Sequence, residues 1–220
     1  MAMKARYLAS PSWWKAYLMA RFLPSHLYWP ARYNTGGISG PGSRGRLAQF
    51  KARVLNDFVA ENGVGSVIEF GCGNGDQLSL ARYPRYVGVD ISRTALAQCR
   101  ARFAGDDTKT FVLLRDHRGG VHDLAISLDV IFHLVEDSGF NQHMESLFSS
   151  ARRFVIIYSS NHDDLNWAFH IRHRSHSRWV EANRPDWKLV SSVPNEFPLD
   201  AAGSDDTSFA DFYVYARRTT

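Results

Sequence analysis

The stretch Val67-Ile-Glu69-Phe-Gly71-Cys-Gly73-Asn-Gly75 decides the fold class of this chain. Apolar residues lead into Glu69, and glycine then stands at every second position. This pattern predicts a buried strand that ends in a loop with little side-chain bulk. A second apolar segment, Tyr86 to Val89, ends in Asp90 about 20 residues later, which is the ribose-binding arrangement of nucleotide-type α/β folds.

The spacing of the glycines separates two kinds of nucleotide site. Dinucleotide-binding folds typically carry G-x-G-x-x-G, with the pyrophosphate at a helix N-terminus. Here the glycines alternate as G-x-G-x-G, and Glu69 precedes the first by two positions. An acid there would repel a pyrophosphate but could accept hydrogen bonds from a cationic or hydroxyl-rich ligand. The structural alternative is an ordinary tight turn followed by a solvent-facing acid.

This pair of motifs, Glu69 to Gly75 with Asp90, resembles the class I S-adenosylmethionine-dependent methyltransferases, and the likeness extends over roughly residues 64 to 160. The resemblance implies that Glu69 and the glycine loop hold the methionine part of S-adenosylmethionine. Asp90 would bind both ribose hydroxyls, and Ile91 would pack on the adenine. The cofactor-binding residues that we predict in this way are Glu69, Gly71, Cys72, Gly73, Asp90, Ile91, Asp116 and Leu128.

The rest of the chain alternates strand-like segments with amphipathic helices, which predicts an α/β fold with a doubly wound, mostly parallel sheet. We expect seven strands, and the resemblance implies that the last two form an antiparallel hairpin. The predicted strands are 65–70, 85–90, 108–115, 124–128, 154–158, 187–193 and 209–217. Helices are predicted from Leu47 to about Asn62 with a stop at Gly63, over 76–82, after a Ser92 cap, and around Phe140 to Phe148.

We divide the chain into residues 1–46, an N-terminal helical extension with a glycine-rich lid, and residues 47–220, the class I methyltransferase domain. The extension is aromatic and basic, and Trp14, Tyr17, Leu18 and Arg21 fit one short helix. It is interpreted as packing on the domain edge, covering the substrate, forming a dimer contact or touching a membrane surface. Residues 34–46 lack a hydrophobic period, with Ser43 near the cap of the next helix, and we predict that they cover the cofactor or substrate.

Polar side chains follow the third and fourth predicted strands, where ligands of an open parallel sheet bind. The resemblance implies that Asp116 bonds the adenine amino group, the alternative being a turn residue before Gly119. Asp129 and His133 follow the fourth strand and are the predicted catalytic residues. His133 is the candidate general base for a hydroxyl acceptor, because an unperturbed imidazole has a pKa of about 6.5. A buried, hydrogen-bonded histidine in the wall of the cofactor pocket is the alternative.

The predicted substrate contacts lie after the fifth strand and in a basic cluster at 170–179. They are His162, Arg172, Arg174 and Trp179. Arginine forks suit phosphate or carboxylate groups, and a tryptophan can stack on a sugar or base. The alternative is a solvated helix start with Trp179 in the core. No metal is predicted. The alternatives are a magnesium site of Asp129 with residues 161–164 and a zinc site of His170, His173 and His176.

Composition limits the classes of protein that remain. The 220 residues carry a net charge of +4, and a hydrophobic content of 45% suffices for a full core. The mild positive charge does not by itself indicate nucleic acid. Two cysteines, Cys72 and Cys99, suggest reduced thiols and a cytoplasmic location. Neither a signal peptide nor a transmembrane segment is predicted.

We therefore predict transfer of a methyl group from S-adenosylmethionine to a small polar acceptor, most plausibly a hydroxyl of a sugar or glycan. The whole chain, including the Ser39-Gly-Pro-Gly-Ser43 segment and the helix after it, resembles small bacterial methyltransferases of polysaccharide and glycoside biosynthesis. The alternatives are an RNA methyltransferase and a non-catalytic S-adenosylmethionine-binding module. Against the first, residues 129–132 lack the Asn/Asp-Pro-Pro-aromatic motif. The predicted partners are a small-molecule or glycan substrate and no nucleic acid, with peripheral membrane contact and a homodimer left open.

Overall fold

A seven-stranded sheet forms the centre of the computed structural model, which describes residues 23–37, 39–164, 170–199, 204 and 206–218. The strands are β1 Val67–Phe70, β2 Tyr86–Asp90, β3 Lys109–Leu113, β4 His122–Leu128, β5 Ala151–Ser159, β6 Trp187–Val193 and β7 Asp211–Arg217. Their order is β3-β2-β1-β4-β5-β7-β6. The first five strands run parallel, and β7 is antiparallel to both of its neighbours. The predicted fold class is confirmed.

This strand order places a topological switch point between β1 and β4, because the chain leaves β1 toward β2 on one side and later returns to β4 on the other. Ligands of open α/β sheets bind in the crevice beyond the carboxyl ends of the strands at such a point. The glycine loop after β1 and the polar segment after β4 both open into that crevice. The topology alone therefore brings the two motifs together.

Five α-helices lie among the described residues: α1 Ser25–Asn34, α2 Gly45–Glu61, α3 Arg93–Arg102, α4 Asp137–Ser149 and α5 His176–Asn183. Helix α2 ends as predicted, since Gly63 takes a left-handed φ of 56° that allows Val64 N–H to donate to the Val59 carbonyl. The predicted cap of α3 is also present. Ser92 Oγ accepts from the Ala95 N–H at 3.2 Å.

Two local predictions are wrong. The segment 76–82 forms only a 3₁₀ turn at Leu78–Leu80, since the chain is already extended at Ala81, ahead of Pro84. Ser43 does not cap α2, because it belongs to a 3₁₀ turn at Pro41–Ser43 and Arg44 takes the cap position without a side-chain bond.

Apolar side chains cover both faces of the sheet. One layer packs α2 and α3 on the sheet through residues such as Phe50, Leu55 and Leu96. The other packs α4 and α5 through Phe148 and Val180. Within the described ranges, no helix is long and apolar enough to cross a membrane. The helix predicted around Trp14 to Arg21 lies outside those ranges.

Candidate active site

Asp90 anchors the glycine loop from the end of β2. Its Oδ2 accepts the Gly73 N–H at 2.9 Å, and its Oδ1 accepts the Ser92 N–H at 2.8 Å. Burial raises the pKa of this carboxyl, and the backbone N–H bonds from Ser92 and Gly73 oppose the rise. Each oxygen keeps a further lone pair. The geometry therefore fits an acceptor for two neighbouring hydroxyls.

The loop that Asp90 holds needs glycine at specific positions. Gly71 has a φ of 88°, and a Cβ there would stand 2.4 Å from Val130 Cγ2. Gly73 has a φ of 55°, and a Cβ there would stand 2.6 Å from Ser39 Oγ. Both the left-handed backbone and the close neighbours exclude a side chain. Glycine is therefore required at both positions, and the hydroxyls of Ser39 and Tyr33 lie against the loop at Gly73.

Glu69 is a buried acid at the centre of the sheet, paired in register with Gly88 of β2 and Ile126 of β4. Tyr86 Oη donates to its Oε2 at 2.6 Å. Burial raises the pKa of Glu69 to about 7, although the Tyr86 hydrogen bond and the charge of Lys51 both lower it. This carboxyl can therefore change its protonation state near neutral pH.

The segment between α1 and α2 lies directly over the glycine loop. Ser39 Oγ donates to Asn74 Oδ1 at 2.9 Å and is 2.8 Å from the buried Tyr33 Oη. Arg44 reaches Asp76 at 3.2 Å. These contacts join residues 34–46, which were predicted to cover the cofactor or substrate, to the glycine loop.

Asp129 is the one described non-glycine residue with a positive φ, at 59°. Its Oδ2 accepts from Lys51 Nζ at 2.5 Å, and the side chain of Lys51 is only 1% exposed. Our sequence prediction missed Lys51. A signal was present, because Lys51 lies four residues from both Leu47 and Leu55 and so belongs to the buried row of α2.

His133 lies in a 3₁₀ turn at Ile131–His133 and is enclosed by aromatic rings. Its ring lies 4.8 Å from that of Trp29 and stacks on His170 at 5.7 Å. Nδ1 is 3.0 Å from the His170 carbonyl oxygen, which can only accept, so Nδ1 carries the proton and Nε2 the lone pair. Burial lowers the pKa of His133 to about 3. The imidazole is thus neutral but a weaker base than the sequence suggested.

His162 follows β5 in a polar turn. Its Nδ1 lies 3.2 Å from Asp164 Oδ2, and its ring contacts His173 at 4.5 Å. His173 Nδ1 is 2.7 Å from Ser160 Oγ. The side chain of His162 is 44% exposed, so it remains accessible at the edge of the crevice.

The two arginines predicted to contact substrate are bound to the protein itself. Arg174 donates to the Leu134 and Val135 carbonyls at 3.3 and 2.9 Å and pairs with Asp137 at 2.5 Å. Arg172 donates to the Val135 carbonyl at 3.0 Å and also pairs with Asp137. Their guanidinium groups therefore fasten the segment after β4 to residues 172–174. These contacts favour a structural role for both arginines, and the phosphate or carboxylate clamp stays a prediction.

Arg174→Ala is expected to lower the free energy of unfolding by about 2 kcal/mol, because the Leu134 carbonyl loses its donor, the Val135 carbonyl loses one of two donors and Asp137 loses a partner. Affinity for S-adenosylmethionine should change little. Denaturant unfolding and calorimetry measure the two effects. Arg178→Ala is the matched control, since that side chain is 74% exposed. Lost transfer in Arg174→Ala at unchanged stability would support the substrate role.

Trp179 also lies away from the crevice. Its Nε1 donates to Asn141 Oδ1 at 2.9 Å, and its ring packs against Phe140 and Phe148 of α4. Its position on α5 directs it to the helix layer, so the predicted stacking on substrate is replaced by packing. This agrees with the alternative interpretation, in which Trp179 belongs to the core.

The remaining predicted cofactor residues lie either in or beside the glycine loop, as Cys72, Ile91 and Leu128 do, or just beyond the end of β3, as Asp116 does. Cys72 is buried in the glycine loop, and its hydrogen bond with Cys99, with burial, raises the pKa of its thiol; both cysteines are free. Leu128 is buried at the end of β4, and Ile91 directly follows Asp90. The side chain of Asp116 is 60% exposed beside Arg115 and borders an open hollow against α3. Asp116 therefore differs from the buried Cys72 and Leu128 in its exposure to solvent.

Metal ligands do not assemble in the part of the chain that the structure describes, where no group of three or more His, Cys, Asp or Glu side chains could hold an ion. The three histidines weighed as a zinc site have separate surroundings. His170 stacks on Tyr28, and His176 Nδ1 lies 2.9 Å from Tyr215 Oη.

Comparison with known proteins agrees with this geometry. Residues 68–156 match the family model described as a methyltransferase domain. No curated protein matches the chain in sequence. The match shows that residues 68–156 are similar to methyltransferase domains, the family that the glycine loop and Asp90 resemble.

Three solved structures illustrate the similarity of fold. Magnesium protoporphyrin IX methyltransferase from Synechocystis PCC 6803 with bound SAM has a TM-score of 0.63 at 16% identity, covering 89% of this chain and 98% of that one. N-methyltransferase NodS from Bradyrhizobium japonicum WM9 gives 0.60 at 11%, covering 79% and 98%. The mitomycin 7-O-methyltransferase MmcR gives 0.56 at 12%, covering 98% and 71%. At these identities the likeness shows the fold, and the acceptors differ.

Proposed function

We propose that this methyltransferase domain transfers the methyl group of S-adenosylmethionine to a hydroxyl of a small polar acceptor, on a sugar or glycan. The observation that carries the proposal is the position of Asp129 and His133. Both directly follow β4, which is paired with β1 beside the glycine loop. A methyl group held by that loop would therefore face them across the switch point.

The donor side is assigned to the ends of β1, β2 and β4. Asp90 would accept from both ribose hydroxyls with the lone pairs that its backbone bonds leave. Glu69 and the backbone of the glycine loop would hold the methionine part. Ile91 and Leu128 supply apolar surface beside it. S-adenosylmethionine itself supplies the reactive sulfonium, so the protein has to orient it and exclude water.

On the acceptor side, a hydroxyl must lose its proton as its oxygen attacks the methyl carbon. His133 is the proposed base, because its Nε2 carries the lone pair once Nδ1 is held by the His170 carbonyl. Its low pKa limits the driving force but keeps the ring neutral. Asp129, with a partly exposed carboxylate, can accept the hydrogen bond of the same hydroxyl. His162 is proposed as a contact at the edge of the site.

His133→Ala is expected to slow methyl transfer to a hydroxyl acceptor by about tenfold, at the low end of general-base effects, because a base with so low a pKa contributes little driving force. The dissociation constant of S-adenosylmethionine should stay within about twofold, since no cofactor contact is removed. Steady-state rates and calorimetry measure both quantities. His122→Ala, on the opposite end of β4, is the control; wild-type rates in His133→Ala would remove it as the base.

A hydroxyl acceptor on a sugar is supported by the resemblance of the chain, including the Ser39–Ser43 segment and α2, to methyltransferases of glycoside biosynthesis. It is also supported by the protein partners that Arg172 and Arg174 already bind. The test is a screen of glycosides, nucleotide sugars and RNA with radiolabelled S-adenosylmethionine. Transfer to glycosides supports the proposal, and transfer to RNA alone overturns it. A cytoplasmic location and a homodimer remain part of the proposal, to be tested by fractionation and by light scattering.

A further inference from the structure

The buried Lys51–Asp129 ion pair contains a residue, Lys51, that has no assigned role in the proposed methyl transfer. A lysine is almost never fully buried unless it is paired, because the desolvation of its ammonium is expensive. Here the ammonium lies 2.5 Å from Asp129 Oδ2 and 5.2 Å from the centre of the Tyr158 ring. Replacing such a buried pair by neutral groups is often neutral or even stabilising. Stability alone is therefore a poor reason for Lys51.

The other partner of the pair is held just as tightly. Asp129 has a φ of 59°, which is uncommon for a residue with a side chain, and its N–H donates to the Tyr158 carbonyl at 3.0 Å. Strained backbone of this kind persists only where the surroundings enforce it. Gly42 of the lid segment closes over the same carboxylate, since a Cβ at Gly42 would stand 2.9 Å from Oδ2.

These contacts leave one oxygen of the carboxylate available. Oδ2 is bound by Lys51, whereas Oδ1 has no hydrogen-bond partner among the described residues, and the side chain is 24% exposed. Lys51 itself has almost no exposed surface and cannot meet an acceptor. An effect of Lys51 on the acceptor must therefore pass through Asp129, whereas on the donor side its charge lowers the pKa of Glu69.

We propose that Lys51 is a positioning residue, which holds the Asp129 carboxylate in a fixed, charged orientation so that Oδ1 accepts the hydrogen bond of the acceptor hydroxyl. The inference rests on the proposed function for the identity of the acceptor. It adds the residue that fixes the acceptor-binding oxygen. Lys51 thereby links α2, the lid at Gly42 and the end of β4 into one arrangement.

The first test needs no acceptor. Crystal structures of the wild type and of Lys51→Met are compared at the end of β4. We expect the Asp129 carboxylate to leave its wild-type position in the variant, because the ammonium that holds Oδ2 is gone. Lys51→Leu, which also has no hydrogen-bond donor, serves if Lys51→Met fails to fold. An unmoved carboxylate in a folded variant overturns the proposal, whatever the acceptor proves to be.

The second test uses the acceptor found in the screen, glycoside or other. Lys51→Met should lower kcat by about tenfold at saturating S-adenosylmethionine. The affinity for S-adenosylmethionine should also fall near neutral pH, because the lost Lys51 charge no longer lowers the pKa of Glu69. The Lys51→Met/Asp129→Asn double variant should be no slower than Asp129→Asn alone, since both changes remove the same interaction. Leu55→Ala, in the same buried row of α2, should lower Tm without lowering kcat. Additive losses in the double variant would overturn the proposal.

The two tests keep the proposals apart. If the acceptor is not a sugar, the proposed function fails, but the double-mutant cycle still runs with the acceptor that was found. If the acceptor is a sugar and the losses are additive, only the role of Lys51 fails.

Discussion

Asp90→Ala is expected to weaken binding of S-adenosylmethionine by about 10²–10⁴-fold. Hydrogen bonds to a charged acceptor contribute about 1.5–3 kcal/mol each, and the variant loses two ribose hydroxyl bonds at once. The loss is compounded by the loop, because Asp90 also accepts the Gly73 and Ser92 N–H groups that shape it. Both N–H groups would then lack their carboxylate partner.

Titration calorimetry with S-adenosylmethionine and with NAD measures this prediction. Asp90→Asn is an informative companion, since its amide keeps one acceptor oxygen and should lose less affinity than alanine. Asp106→Ala is the matched control, because Asp106 is an acid paired with Lys109 away from the crevice. Unchanged affinity in Asp90→Ala would place the ribose elsewhere. Tight binding of NAD by the wild type would contradict the choice of donor.

The sheet could be predicted well from the sequence because its signals are local. The boundaries of β6 at 187–193 were predicted to the residue, and the strands were predicted from β-type segments bounded by turn residues. The antiparallel hairpin was an expectation from the resemblance to class I methyltransferases. The glycine loop and Asp90 could also be predicted, since left-handed turns favour glycine and the acid follows the loop at a fixed spacing in the sequence. The short turn at Leu78–Leu80 was missed, although Pro84 was a visible signal against a helix reaching 82.

The differences between the predicted and the observed site share one physical cause. Whether an arginine binds a substrate or its own backbone depends on partners far along the chain, and Arg174 finds carbonyls about 40 residues away, at 134 and 135. The same holds for Trp179, which meets α4. For His133, the residue type was informative but its environment was not, because burial against Trp29 and His170 moves its pKa far from the unperturbed value. The sequence shows which chemical group a side chain carries, whereas tertiary packing decides whether that group is free to contact a ligand.

The affinity for S-adenosylmethionine is expected to rise by about a hundredfold between about pH 5 and about pH 8, following the ionisation of Glu69. Burial raises the pKa of Glu69 to about 7, so the free protein holds this carboxyl protonated in acid. The donor carries a sulfonium and an ammonium group, and a carboxylate favours these cations more than a neutral carboxyl does. Calorimetry across this range measures the effect.

Stability of the cofactor-free protein should move in the opposite direction. A carboxyl whose pKa is higher in the folded state than in the unfolded chain favours folding at low pH. That contribution is lost as the pH rises from about 4.5 through about 7, and it amounts to about 3 kcal/mol. Glu69→Gln cannot titrate, so it should flatten both the affinity and this part of the stability profile. If Glu69→Gln keeps the wild-type dependence of affinity on pH, another group causes that dependence. If the pH dependences of affinity and of stability disappear together in the variant, both are caused by Glu69.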